Sequence, residues 1–322
     1  MKTWKTSPRN RSRPVSLRYA IYDVFTDTAL AGNPLAVVFG ADGLDDMAMQ
    51  AIAGEFNLSE TVFITEPKGR DADYGLRIFT PTSELPFAGH PTVGATVALT
   101  LASGAGEGER RRFVLEETVG DVTADGRANG PRSGSARFFA PRLPEQVGEL
   151  PDFAAIADAL DIMPGDLMDT PIQGGVWSAG VPFAIVPVRD ADVLADIKLD
   201  LAAFETAFGG ETPVCAYVVA KASATEHTTD WRVRMFGPHL GIHEDPATGG
   251  AAAAFAGVLA EQTGLGEGEH GVALYQGVEM GRPSLIRLRL KLEGGQLTDL
   301  MLGGDAVKIA EGELLAIPGE DA

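Results

Sequence analysis

Three side chains in this sequence have the chemistry to move a proton: Glu60 in NLSETVF, His90 in FAGHPT and Asp245 in HEDPATGG. Abstracting a proton beside a carboxylate requires a base, donors that stabilise the developing negative charge, and a second group that returns or relays the proton. Two carboxyl groups and an imidazole supply that set. Taken singly, each has a plainer explanation. Asp before Pro at a helix start is a good N-cap. A lone His is commonly a satisfied buried imidazole, and a Glu at a strand end is commonly solvated. The setting of His90 and Asp245 argues for more, because they occupy matching places in two copies of one phrase. FTPTSELPFAGHPTVGA, from Phe79, and RMFGPHLGIHEDPATGGA, from Arg234, both run Phe-x-Pro, a short loop, a polar residue, Pro, two residues, Gly and an uncharged Ala-rich stretch. His is a poor N-cap, so capping alone does not explain the pairing.

Such residues need elements to hold them, and each copy of the phrase reads as strand, loop, helix. The polar residue is expected at the N-cap and Pro91 or Pro246 at the first helical position, where a missing N–H is harmless. Neither helix carries a charged residue in its first three turns, and a helix that is small or apolar all round must be buried on all sides. The reading is therefore an α+β fold of two pseudo-symmetric lobes, each a sheet wrapped around a buried central helix, with both helix N-termini converging on the cleft between them. There Gly89, Gly94, Gly249 and Gly250 would let a ligand approach the backbone, and a carboxylate suits a helix N-terminus.

LRYAIYDVF, PLAVVF, TVFIT, GLRIF and RRFVLEE read as strands of the first half, and VPFAIVPV, PVCAYVVA, WRVRMF and SLIRLRLKL as strands of the second. LDDMAMQAIAGEF is a helix presenting Leu44, Met47, Ala51 and Phe56 near one face, with Asp45 and Asp46 in its first turn. DFAAIADAL is another. The Gly-, Ser- and Asn-rich stretch 124–136 reads as a turn or linker. The expected division is a basic, disordered extension over 1–17, an N-terminal lobe over 18–130 and a C-terminal lobe over 131–322, with the last strand free to return to the first lobe.

The composition narrows the partners. The chain has 322 residues, 45% of them hydrophobic, and a net charge of -19. Strong acidity disfavours nucleic acid and anionic membranes, both of which require a positive surface, so a small molecule is the expected partner. No apolar run reaches the roughly 18 uninterrupted residues of a spanning helix, and the basic N-terminus lacks the apolar core of a signal peptide. One cysteine, Cys215, rules out an intramolecular disulfide framework and agrees with a cytoplasmic location. Inside PVCAYVVA it reads as a small buried hydrophobe. HLGIHED, from His239, has metal-like residue types, but Pro238 and Gly241 oppose a helix and no further ligand cluster accompanies it. No metal is expected. GEGEHG, from Gly266, matches G-x-G-x-x-G in the wrong strand–helix order and carries two Glu that would repel phosphate. QGVEMGRPS, from Gln276, reads as a turn from which Arg282 could reach a carboxylate in the cleft.

AGNPLAVVF, NLSETVFI, FTPTSELPFAGHPTVGA, RMFGPHLGIHEDPATGG and QGVEMGRPS together resemble the phenazine-biosynthesis isomerase (PhzF-like) family, in order and from about Arg18 to near the C-terminus. The resemblance implies the diaminopimelate epimerase fold of two similar lobes. In the epimerase and proline racemase relatives a cysteine pair transfers the proton; here those places are similar to His90 and Asp245, and a single cysteine excludes a two-thiol mechanism. The resemblance further implies an isomerase acting on trans-2,3-dihydro-3-hydroxyanthranilate, in which Glu60 takes the proton from C3 and helps deliver it to C1. His90 and Asp245 would flank the ring. The backbone near Gly89, Gly249 and Gly250 would hold the carboxylate, with Asn33, Ser59 and Thr248 completing the substrate-binding set. It implies a homodimer and no cofactor. One departure stands out: Gly250 occupies the place where phenazine enzymes typically have Ser. An isomerase or epimerase of the same fold with another small carboxylate substrate, and a non-catalytic binding relative, are the alternatives.

Overall fold

Alternation of apolar and polar residues makes most of this chain strand. In SLIRLRLKLE the residues Ile286, Leu288, Leu290 and Leu292 are buried while Arg287 and Arg289 face solvent, the period-2 signature of a sheet with one wet face. The computed structural model describes residues 16–168, 172–222 and 230–315. The first half runs β1 (Leu17–Val24), β2 (Asn33–Phe39), α1 (Asp46–Phe56), β3 (Glu60–Thr65), β4 (Tyr74–Phe79), β5 (Glu84–Leu85), α2 (Gly89–Ala102), β6 (Arg110–Glu117), β7 (Gly120–Ala128) and β8 (Ser133–Phe139). After β9 (Glu145–Gly148), α3 (Phe153–Leu160), β10 (Gly175–Ser178), β11 (Pro182–Pro187), α4 (Ala191–Asp196) and α5 (Leu201–Phe208) come β12 (Cys215–Lys221), β13 (Asp230–Gly237) and β14 (Ile242–Asp245). The chain closes with α6 (Gly249–Gln262), β15 (Gly268–Gln276), β16 (Ser284–Glu293) and β17 (Gln296–Leu314).

The result is a mixed α/β, sheet-dominated molecule. Strand pairing runs from β17 through β1, β2, β3, β4, β6, β7 and β8 and back to β17, a closed circuit. From the same strand an open row continues through β16, β15, β13, β12, β11 and β10 to β9. Helix α2 lies against β1, β2, β3, β6, β7, β8 and β17, and α6 against β9, β10, β11, β16 and β17. Both are buried over nearly their whole length, as their lack of charge requires. The buried hydroxyls of α2 are satisfied within the helix: Thr96 Oγ1 donates to Thr92 O (2.6 Å) and Thr100 Oγ1 to Thr96 O (2.7 Å). Each fully buried Val or Leu on these helices contributes about 1.5–3 kcal/mol. A separate apolar layer of α3, α4 and α5 covers the opposite face of β11 and β12.

Four expectations are corrected. Residues 124–136 are no linker but most of the β7–β8 hairpin, in which Ala124, Ala128 and Ala136 are buried small side chains that fit beneath α2. The division after residue 130 therefore falls in that hairpin's turn, and β1 already begins at Leu17, inside the expected extension; residues 1–15 lie outside those described. In α1 the buried stripe is Ala48, Met49, Ile52 and Ala53, while Met47 is 80% exposed and Ala51 is also exposed. The core-facing phase follows Met49 and Ile52, four-residue neighbours of Asp45 and Ala48, and Asp45 caps the helix by accepting from Ala48 N–H. Finally, the two phrases do not start their helices alike: α2 begins at Gly89 with Ala88 as N-cap, α6 at Gly249 with Thr248 as N-cap. His90 and Pro91 lie within the first turn of α2, where proline's missing N–H still costs nothing. Asp245 remains in β14, paired with Met235, and Pro246 occupies the loop that follows.

Candidate active site

Each acidic or imidazole group of the expected set sits at the end of an element. Asn33 opens β2 and Glu60 opens the parallel neighbour β3, with Leu35 and Glu60 in register. His90 is the second residue of α2, and Asp245 is the last of β14. The Nδ1 of His90 lies 2.8 Å from Glu60 Oε2, with His90 3% and Glu60 17% exposed. The other carboxylate is ringed by donors. Asn33 Nδ2 donates to Asp245 Oδ1 at 2.9 Å, Thr248 Oγ1 to Oδ2 at 2.6 Å, and Ser59 Oγ reaches Oδ1 at 3.5 Å. Burial pushes the Asp245 carboxyl well above the usual carboxylate range, the nearby Glu60 charge adds to the rise, and Thr248, His90 and Asn33 pull it back in part. Two neighbouring carboxyl groups with divergent environments, next to an imidazole, can hold and pass a proton.

The group is incomplete on its own. Besides the His90–Glu60 contact, His90 Nε2 and Asn33 Oδ1 are buried without a hydrogen-bond partner among the described residues, and such orphans cost about 1–3 kcal/mol each unless a ligand or water meets them. The helix ladders begin with Thr92 N–H to Ala88 O and Ala252 N–H to Thr248 O. The N–H groups of the preceding first-turn residues, including His90 and Gly250, therefore have no intrahelical acceptor. This is an anion-favouring arrangement.

The glycines divide between two jobs. Gly89 and Gly249 face each other: a Cβ added to Gly89 would lie 3.1 Å from Gly249 Cα, and one added to Gly249 would lie 3.0 Å from Gly89 Cα. Their smallness brings the two helix starts together. Gly94 packs against Leu35 and Val24 of the core and does not open the site. Gly250 is half-buried beside Phe183.

Two further residues build the site, and both come from the QGVEMGRPS stretch or its partners. Gln276 Nε2 donates to Asp245 O (2.8 Å) and to Thr248 Oγ1 (3.0 Å), while its Oε1 accepts from Thr248 N–H (3.1 Å). It fixes the β14–α6 loop from below. Arg282 does not reach the acid–imidazole group; its guanidinium binds buried Asp23 at 2.6 Å and the carbonyls of Ala31 and Gly32 at 2.7 Å. Asp23 in turn accepts from Leu30 N–H. Gly32 has a φ of 65°, and a Cβ there would strike Val24 O at 2.3 Å. The Arg282–Asp23 pair thus clamps the sharp loop that delivers Asn33 to Asp245. Cys215 is buried in β12, and burial reinforced by Asp245 pushes its thiol up to about 12, so it is no thiolate at neutral pH.

A mixed α/β, sheet-dominated fold carrying a buried acid–imidazole cluster at two abutting helix starts defines the class of molecule. The family model described as phenazine biosynthesis-like protein matches residues 22–312, and the chain belongs to this PhzF-like family of isomerases. It is 44% identical over 305 residues to an uncharacterized isomerase of Mesorhizobium japonicum, covering 92% of this chain and 98% of that one. It is 34% identical over 296 residues to the trans-2,3-dihydro-3-hydroxyanthranilate isomerase of Pseudomonas aeruginosa, with the same two shares. The crystal structure of a PhzF-family phenazine biosynthesis protein from Bacillus anthracis superposes with a TM-score of 0.81 at 24% identity, covering 94% of this chain and 99% of that one. Among the described residues no helix is long and apolar enough to cross a membrane.

Proposed function

We propose that this isomerase shifts a proton by general acid–base catalysis on a small cyclic carboxylic acid of the trans-2,3-dihydro-3-hydroxyanthranilate type, bound between two pseudo-symmetric lobes centred on α2 and α6. The observation that carries this reading is the Glu60–His90–Asp245 group, with His90 and Asp245 buried and His90 Nε2 unpartnered among the described residues. In this reading Glu60 takes the proton from C3 of the substrate and helps return it at C1, so that the enol becomes a ketone. The proton stays in the reaction and no oxidation state changes, so the chemistry calls for no cofactor. His90, against Glu60, and Asp245, held by Asn33 and Thr248, flank the ring and orient its amino group, and the first-turn N–H groups of both helices receive the carboxylate. The substrate class is supported by the Pseudomonas aeruginosa relative, which is named for it.

A second reading keeps the reaction and changes the compound. Gly250 leaves space beside Phe183 where phenazine enzymes typically carry a Ser, which suits a different small carboxylic acid. Turnover of trans-2,3-dihydro-3-hydroxyanthranilate by Glu60→Gln tests the mechanism. It is expected to fall at least about a hundredfold, the scale of a deleted general base, with the fold intact by circular dichroism. Turnover retained within a few-fold of the parent would remove Glu60 from the chemistry.

A further inference from the structure

A cavity of about 770 Å³ opens on the outer face of the sheet, where β6, β7 and β8 meet β17, β16 and β15, away from the acid–imidazole group. Strand alternation puts six arginines on its walls, Arg110 and Arg112 from β6, Arg127 from β7, Arg137 from β8, and Arg287 and Arg289 from β16, against three aspartates. A positive hollow in a chain of net charge -19 requires a reason. Register shows how it is built: Arg112 is opposite Asp125, Asp125 opposite Arg137, Arg137 opposite Gly303, and Gly303 opposite Arg287. Gly303 leaves the floor between Arg137 and Arg287 without a side chain.

The carboxylates serve only part of the cluster. Asp125 is shared by Arg112 (2.7 Å) and Arg137 (3.4 Å), and Asp305 pairs with Arg287 (2.7 Å). Arg110 and Arg127 stand directly opposite each other, and among the described residues neither is paired with a carboxylate. Like charges directly across an antiparallel pair are destabilising. An anion lying between them removes that cost, and guanidinium forks match phosphate oxygens.

We infer that this groove binds a small polyanion carrying at least two phosphate groups, one seated between Arg110 and Arg127 and another toward Arg137 and Arg287. The volume falls within the roughly 300–1,000 Å³ of small-ligand sites. A long nucleic acid would meet the repulsion of a chain whose net charge is -19. A second copy docked here by two-fold symmetry would set arginines against arginines.

Isothermal titration of the full chain with inorganic tripolyphosphate, citrate and a single-stranded oligonucleotide of about 20 nucleotides separates these occupants. One saturable tripolyphosphate site per chain is expected, weakening with salt and weakened about tenfold or more in the double variant Arg110→Gln, Arg127→Gln. Without ligand that variant should melt no lower than the parent, because it loses a repulsive pair, and its isomerase turnover should be unchanged. Arg127→Lys, which keeps the charge and loses the fork, should also weaken binding and covers the case in which the double variant fails to fold. Several results would overturn the inference: no saturation below about 10 mM, equal binding by the variants, or citrate binding as tightly as tripolyphosphate. So would the oligonucleotide binding more tightly than tripolyphosphate, or a dimer that dissociates in the double variant while tripolyphosphate does not bind.

Discussion

Glu117 ends β6 as a buried carboxyl group, 5% exposed, with no cation paired to it among the described residues. The hydroxyl of Thr92, in the first turn of α2, lies 2.8 Å from both Glu117 Oε1 and Ala88 O. Burial pushes Glu117 up to about 8, with the Thr92 hydrogen bond opposing the rise. The sign follows from linkage. Between the unfolded value of 4.5 and the folded value of about 8 the native state holds a proton that the unfolded chain has lost. Stability contributed by this group is therefore fully present below 4.5 and declines by about 1.4 kcal/mol per pH unit as pH rises toward 8. Glu117→Gln removes the titration, so denaturation from pH 5 to 8 should find the variant gaining on the parent at about that slope. A difference that stays flat with pH would mean that Glu117 is ionised in the fold. At Gly250 the question is substrate. A Cβ there would meet Phe183 at 3.4 Å, an ordinary contact. In a phenazine-type isomerase Gly250→Ser should tighten binding of dihydro-hydroxyanthranilate by about 0.5–1.5 kcal/mol, the net worth of one added hydrogen bond. If the open position serves a bulkier acid, the same change weakens binding of that ligand, and equilibrium titration against a panel of small carboxylic acids reads the sign.

Two helix starts abut beside the acid–imidazole group, and their separation is set by a glycine pair. A methyl group at Gly249 would lie 3.0 Å from Gly89 Cα and 3.3 Å from Gly89 C, backbone atoms that cannot rotate away. Gly249→Ala should therefore cost roughly 1–3 kcal/mol of stability through overpacking. It should also lower turnover by about tenfold or more, since a displacement near 1 Å between reacting groups is costly. Urea denaturation and kcat measured on the same variant check both; full activity would mean that the helices move apart without disturbing the chemistry. At this scale the sequence was legible wherever the signal was local. The duplicated phrase located α2 and α6, their lack of charge announced their burial, and period-2 runs such as SLIRLRLKL located strands. Starts and phases were less legible. His-Pro and Asp-Pro look alike on paper, yet one lies inside its helix and the other before it, because β14 holds Asp245 in a strand pair that only the folded chain makes. The Asp23–Arg282 pair escaped for a related reason. Asp23 and Arg282 are 259 positions apart and Asn33 and Asp245 212, and no periodicity in one chain reports contacts at such range. The alternation in β7 and β8 was hidden by small residues, whose Ala and Gly look like a linker until α2 lies over them.

One strand ties the whole molecule together. β17 pairs with β16 over Gln296–Gly303, with β8 over Met301–Val307 and with β1 over Ala306–Leu314. The closed circuit around α2 thus needs the far end of the chain to complete it, and the row that packs on α6 begins from the same strand. Leu302 sits at the join, 1% exposed, opposite Leu288 on one side and Phe138 on the other. Neither half can lose β17 without exposing its helix, so the halves should unfold together. Scanning calorimetry is expected to give one transition with the calorimetric enthalpy equal to the van't Hoff value. Leu302→Ala should lower that single transition as a unit, by about 2–5 kcal/mol for a buried truncation, with α2-side and α6-side fluorescence probes moving in step. Two separated transitions, or a variant that melts one half while the other stays folded, would show that β17 is an ornament on two independent bodies and not the element that joins them.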